Sequence, residues 1–146
     1  MSFKTQEIEF MKASDLARLA TVQPDGTVQN NPVGFSYNDD LGTIDIHGYR
    51  MSKSRKFRNL ASNTTVALVI DDIASRDPWR VRCLEIRGTA ERAESGRRRT
   101  EANNDEIDTA IIRVTPRRII SFGIDDTHTE PHDLIPDSRY VPTTAD

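Results

Sequence analysis

The chain has 146 residues, of which 29% are charged and 36% hydrophobic, and its formal net charge is -3. That length favours one domain that buries roughly 68–70% of the surface its unfolded chain exposes. The composition excludes a disordered chain, and the acidic balance argues against a general nucleic-acid binder, a class that usually shows a basic domain.

The first fourteen residues, MSFKTQEIEFMKAS, hold only scattered apolar positions, so they match neither a signal peptide nor a membrane span. No later apolar run reaches spanning length, and a soluble cytoplasmic protein is expected. Residues 16 to 23, LARLATVQ, lead into Pro24-Asp25-Gly26, where proline presets a turn and glycine accepts a positive φ. The returning run 27–37, TVQNNPVGFSY, ends in the turn Asn38-Asp39-Asp40-Leu41-Gly42. TIDIHGY follows, with Ile44 and Ile46 alternating against Asp45 and His47. Two hairpins in succession predict a meander.

Residues 64 to 72, TTVALVIDD, are too apolar for a half-exposed strand and predict a central one. The run 79–94, WRVRCLEIRGTAERAE, changes phase from Val81 and Cys83 to Leu84, Ile86, Gly88 and Ala90, which predicts a bulge or bend. Ser95 to Asp108 is polar without periodicity and reads as a loop. Residues 111–124, IIRVTPRRIISFGI, predict two short strand segments broken at Thr115-Pro116. The stretch 126–146 has little apolar patterning and reads as a mobile polar tail or lid. A single domain, 1–146 with its core over about 10–125, is expected, mainly β and barrel-like, with one or two short helices.

Residues 47–63, HGYRMSKSRKFRNLASN, run against this acidic background. Arg50, Lys53, Arg55, Lys56 and Arg58 place five cations in nine positions, and no Asp or Glu occurs from Ile46 to Ile70. Ser52 or Ser54 can cap a short helix whose apolar face is Phe57, Leu60 and Ala61, ending near Asn63 in a left-handed residue. Arg55 and Lys56 then fall in the first turn, where the dipole alone prefers acidic residues. A phosphate there offsets the cations. The competing reading of the cluster is a solvated charged face.

The order Ser54-Arg55-Lys56, Leu60, Asn63, then Val66-Ala67-Leu68-Val69, resembles the pyridoxamine 5′-phosphate oxidase-like, flavin-binding split-barrel family. The resemblance runs from about Leu16 to Ile124 and takes in the PDG hairpin, NNPVGF, Trp79 and GTAE. It implies an antiparallel split β-barrel that binds flavin mononucleotide or a related cofactor, with Arg55 and Lys56 on its phosphate. DPWRVRCLEIRGTAE and TPRRIISFGI look most like members that use coenzyme F420, a deazaflavin with a phospholactyl-oligoglutamate tail. Arg50, Lys53 and Arg58 are available for such a tail.

By the same resemblance the ring lies near Asn31, Pro32 and Val33 and near His47, Gly48 and Tyr49, with the phosphate on Ser54, Arg55 and Lys56. Trp79 covers it from the second subunit of a homodimer. Biosynthetic pyridoxamine phosphate oxidases carry basic residues on the second strand, where this chain has Gln29 to Gly34, and a C-terminal R-L-x-P segment, where it has RYVPTTAD. Oxidation of pyridoxamine phosphate is therefore not expected.

Hydride chemistry belongs to such a ring, so no catalytic dyad is required of the protein. His47 and Tyr49 are also readable as ordinary strand residues, and Trp79 as a loop anchor. Cys83 lacks an activating base and reads as packing. His128 and His132 are four apart, but Pro131 between them and the lack of a third ligand argue against a metal. Three functions stand in order: an F420- or flavin-dependent oxidoreductase acting on a conjugated small molecule, a cofactor carrier or sensor without turnover, and a small β-barrel nucleic-acid binder. Few aromatics are available as stacking platforms for the last.

Overall fold

The computed structural model describes residues 2–95 and 108–143. A short helix α1 (Thr5–Lys12) precedes a meander of β1 (Leu16–Val22), β2 (Val28–Asn38) and β3 (Thr43–His47). The second helix α2 (Arg55–Asn59) leads to β4 (Thr65–Arg76), β5 (Trp79–Glu94), β6 (Ala110–Phe122) and β7 (Asp137–Tyr140). The sheet order is β3-β2-β1-β4-β5-β6-β7, and a further β3–β6 pairing closes it into a ring. All the pairings are antiparallel, as the barrel reading expected. Most of the predicted loop Ser95 to Asp108, residues 96–107, lies outside the described residues.

Turn chemistry sets the meander. At the first turn Gly26 takes φ 88° and the Gln23 N–H donates to the Thr27 carbonyl at 2.8 Å. In the second, the Asn38 side-chain oxygen accepts from the N–H groups of Asp40 and Leu41 at 3.0 Å each, and Gly42 takes φ 69°. Alternation along β1 buries Ala17, Leu19 and Thr21, while β4, between β1 and β5, buries Val66, Leu68 and Ile70. These meet Ile44, Ile46, Leu84, Ile86, Ile112 and Ile119 in one apolar core.

Three expectations change. Residues 110–122 form one strand, not two segments broken at Thr115-Pro116. Arg87 pairs with Arg118 and Gly88 with Pro116, so Arg117 is an extra residue on β6. A bulge tolerates a residue without a ladder N–H, and so Pro116 stays within the strand. The phase change on β5, at Cys83 and Leu84, lies where pairing with β6 is regular, and the alternation of buried Leu84, Ile86, Gly88 and Ala90 runs unbroken past the bulge.

The stretch read as a tail or lid contains β7, which pairs with β6. Its anchor is polar: Arg139 donates to the carboxylate of buried Glu7 and to the Ser2 carbonyl, and Ser121 Oγ donates to Glu7 at 2.7 Å. Val141 packs against the core beyond β7, as does Phe3 at the other end. The first fourteen residues, for their part, fold as α1 and bury Phe10 and Met11.

Close packing at the bulge generates a prediction. A Cβ on Gly88 would lie 2.1 Å from the Thr115 carbonyl oxygen, whereas one on Gly34 meets nothing within 4 Å. Gly88→Ala therefore lowers stability by about 2 kcal/mol, as overpacking does, and Gly34→Ala is neutral or slightly stabilising. Urea-unfolding midpoints of the two variants check the difference.

Candidate functional site

Strand β3 ends at His47, opposite Gly34 on β2. Beyond it the chain passes Gly48, Tyr49 and Arg50 into a single 3-10 turn, Met51–Lys53. Asp108 clamps this segment. Its carboxylate accepts from the Ser52 N–H at 3.0 Å and from the Ser52 hydroxyl, while its own N–H donates to the Tyr49 carbonyl at 3.2 Å. The Ser52 hydroxyl bond, chiefly, holds the Asp108 carboxyl below the usual range.

Ser54, rather than Ser52, caps α2: its oxygen accepts from the Phe57 N–H at 3.3 Å, and its hydroxyl donates to the Met51 carbonyl at 2.7 Å. The helix stops at Asn59, well before Asn63. Asn63 is not left-handed; its side chain accepts from the Thr65 N–H at 2.9 Å, a local turn that starts β4. Five helical residues make a weak dipole, so the attraction for an anion rests on side-chain charge instead.

One buried polar residue orients this helix. The Asn59 amide donates to Thr21 Oγ1 at 3.0 Å and to Gln29 Oε1 at 3.2 Å, tying α2 to β1 and β2. Leu60 is buried and Phe57 packs against the core, whereas Ala61, expected on the apolar face, is exposed. The Arg92 guanidinium stands 5.3 Å over the Phe57 ring.

A cavity of about 470 Å³ opens between β2 and the segment after β3. Pro32, Val33, His47, Gly48, Tyr49 and Lys56, all singled out from the sequence, line it. A neighbouring hollow of about 380 Å³ shares Gly48, Tyr49 and Lys56 and adds Arg50, Met51, Lys53 and Ser54. Lys56 stands where the two meet. Burial pushes its ammonium below the ordinary 10.5, and no carboxylate among the described residues is paired with it.

Of the residues expected to meet the cofactor, four lie apart from these walls: Asn31, Arg55, Trp79 and the exposed Arg58. Asn31 is half-buried on β2 opposite Leu19. Arg55 is exposed and donates to Gln23 Oε1 at 3.5 Å, pointing toward the first hairpin. Trp79, 53% exposed, opens β5 at the hairpin where it pairs with Arg76. Conversely, Asp15, Gly34, Phe35 and Met51 line the hollows without having been singled out. Gly34 and Phe35 continue the NNPVGF run that carried Pro32 and Val33, so the signal for them was present; Asp15 had none.

The family model described as pyridoxamine 5′-phosphate oxidase matches residues 3–123. A 5a,11a-dehydrotetracycline/5a,11a-dehydrooxytetracycline reductase of Streptomyces rimosus is 44% identical over 126 residues, which is 86% of this chain and 86% of that protein. Among solved structures, an F420 reductase is similar with a TM-score of 0.57 and 27% identity, over 74% of this chain and 90% of its own. A conserved hypothetical protein from Mycobacterium tuberculosis aligns with a TM-score of 0.65 at 21% identity, over 83% of this chain and 84% of its own, and shares the fold. The chain belongs to the pyridoxamine 5′-phosphate oxidase family.

The Asn59 tether can be tested directly. Asn59→Ala leaves the Thr21 hydroxyl and the Gln29 carbonyl without their donor, at a cost of about 1–3 kcal/mol. The loss is read from chemical unfolding, and hydrogen exchange localises it to α2 and the first hairpin.

Proposed function

We propose that the chain is a coenzyme F420-dependent oxidoreductase that passes a hydride to a small conjugated organic acceptor, working as a cytoplasmic homodimer with the cofactor at the subunit interface. The observation that carries this reading is Lys56, half-buried and not paired with a carboxylate among the described residues, at the junction of a largely apolar bed, whose one acidic wall is Asp15, and a cationic hollow. A buried ammonium that lacks a counter-ion is costly, and a ligand anion relieves the cost. Family membership, the reductase relative and the F420 reductase neighbour support the same direction.

In this reading the flat bed of Pro32, Val33, Gly34, Gly48 and Tyr49 takes the ring, with Asn31 behind it on the same strand. Ser54 and Lys56 take the phosphate, joined by Arg55 once its long side chain leaves Gln23. Arg50, Lys53 and Arg58 face the carboxylates of the tail. The bound ring supplies the hydride chemistry, and the protein supplies placement, charge and exclusion of water. Trp79 is proposed to cover the site from the second copy, in keeping with its exposure and its position away from the cavity of its own chain.

Flavin mononucleotide is the alternative cofactor, since the same phosphate site would hold it; the surplus of cations favours the more anionic F420. A carrier without turnover is the alternative to an enzyme, and the reductase relative favours the enzyme.

Titration of the purified protein with F420 and, separately, flavin mononucleotide, followed by ring fluorescence, is expected to show tighter binding of F420. Binding of neither excludes both the enzyme and the carrier. Lys56→Ala weakens F420 binding at least tenfold, as loss of a charge-assisted bond does at about 1.5–3 kcal/mol, while Arg92→Ala changes it by less than about twofold. Equal losses would reduce the site to diffuse charge.

Only the protonated Lys56 attracts the phosphate, and its folded pKa lies below 10.5. F420 affinity therefore falls as pH rises through that depressed pKa, earlier than for an ordinary lysine. Lys56→Arg, always charged in this range, flattens the dependence.

A further inference from the structure

His47 ends β3 on the outer face of the ring, opposite Gly34 on β2. Glycine offers no side chain there, so the neighbours that share its face on β2 are Pro32 and Ser36. The Ser36 hydroxyl is 3.2 Å from His47 Nε2. His47 also lines two hollows, the bed described above and a second of about 390 Å³ bounded by β2, β3, β6 and the β2–β3 turn. The imidazole is thus a wall with a bed on one side and a polar hollow on the other.

Among the described residues, the titratable side chains that line the bed are Asp15, His47, Tyr49 and Lys56. The Lys56 ammonium is assigned to the phosphate, and a carboxyl and a phenol ordinarily titrate far from neutrality, near about 4 and about 10. An imidazole ordinarily titrates near about 6.5, so it can both give and regain a proton at neutral pH. In the second hollow most charges are matched. Asp45 accepts from Arg113 at 3.1 and 3.2 Å, and Asp39 is paired with Lys12 at 3.1 Å. Burial pushes the Tyr37 phenol up, so it stays protonated, and Asp40 is exposed in the turn. Water entering this polar hollow reaches Ser36 and, through it, His47.

We propose that His47 is the proton donor for the reaction in the bed, its imidazolium protonating the reduced acceptor, with Ser36 as the positioning residue that relays a proton back from water in the second hollow. The inference rests on the functional reading above. The acceptor lies in the same open bed as the ring, so it touches both the ring and His47. Hydride addition to the β-carbon of an enone breaks the C=C π bond and leaves an enolate, which takes the proton from His47. A hydride and one proton leave the reduced cofactor, the proton for solvent, and His47 regains one from solvent. The sum is cofactor oxidised, acceptor reduced and no net proton.

The first test needs neither cofactor nor acceptor. In full-length protein with 13C-labelled histidine, three imidazoles give NMR signals, those of His47, His128 and His132, and His47→Gln identifies the one it removes. The His47 signal is expected to titrate between about pH 5 and 8. Ser36→Ala is expected to move its midpoint, and Ser36→Thr, which keeps the hydroxyl, to restore it. A His47 that holds one protonation state across that range overturns the proposal, and a midpoint indifferent to Ser36→Ala overturns the relay.

The second test saturates the protein with reduced F420 and supplies a panel of enones that includes cyclohex-2-enone. His47→Gln is expected to lower kcat about a hundredfold or more, while the Kd of F420 changes far less. Only the imidazolium donates, so the wild-type kcat falls as pH rises through the His47 midpoint and the profile of the variant is flat. An unchanged kcat, or equal losses in kcat and F420 affinity, overturns the proposal. Should His47→Gln fail to fold, His128→Gln and His132→Gln assign the signal by elimination and the Ser36 variants carry the pH test. Failure of the wild type to bind F420 or to reduce any enone is a separate result that overturns the functional reading and this inference with it.

Discussion

The pairing of β3 with β6 is the constraint on which the rest of the structure depends. Strand β3 has only five residues, yet it is held along both edges, by β2 and by β6. Ile44 meets Val114 and Ile46 meets Ile112 at the closing seam, while Asp45 meets Arg113 on the outer face. With period 2 along each strand, closing the ring sends the isoleucines into the core and Asp45 and His47 outward. Both hollows that flank His47 follow from that single register, because a one-residue slip would exchange the two faces.

The same register reconciles an acidic chain with an anion site. A formal charge of -3 describes the whole molecule, whereas a ligand meets the local field. The seam fixes where β3 ends, the Asp108 clamp and the Asn59 tether fix the segment that follows, and Arg50, Lys53 and Lys56 are thereby gathered at one end of the site. Acidic residues of the β2–β3 turn stand at the other. Asp39 of that turn is neutralised by Lys12, and Asp45 on β3 by Arg113, so the contrast between the two ends rests on few side chains: Lys56 and its neighbours on one side, Asp40 on the other.

Much of this was legible in the sequence where a residue type has one local solution. Gly26 and Gly42 mark turns because they take positive φ, and alternating burial then fixes the meander. Ser54 was one of two possible caps, and the structure selects it because Ser52 is engaged by Asp108, a residue 56 positions away. Such long-range partners are what sequence reading lacks. Pro116 looked like a strand break because the bulge that accommodates it is defined by the register with β5. Strand β7 has no apolar alternation to advertise it; Arg139 finds Glu7 only once the chain has folded. Asp15 reaches the cavity through tertiary approach alone, while Trp79 and Arg55, prominent in the sequence, stand outside it in a single chain.

The most direct test of the account is a single-turnover experiment in which reduced F420 is mixed with the protein and each of a panel of enones and quinones, and the absorbance of the oxidised deazaflavin is followed. The account predicts that oxidation of the cofactor is accelerated only when protein and acceptor are both present, in a one-to-one ratio with acceptor reduced. Turnover with reduced flavin mononucleotide and none with reduced F420, under the same conditions, would contradict it.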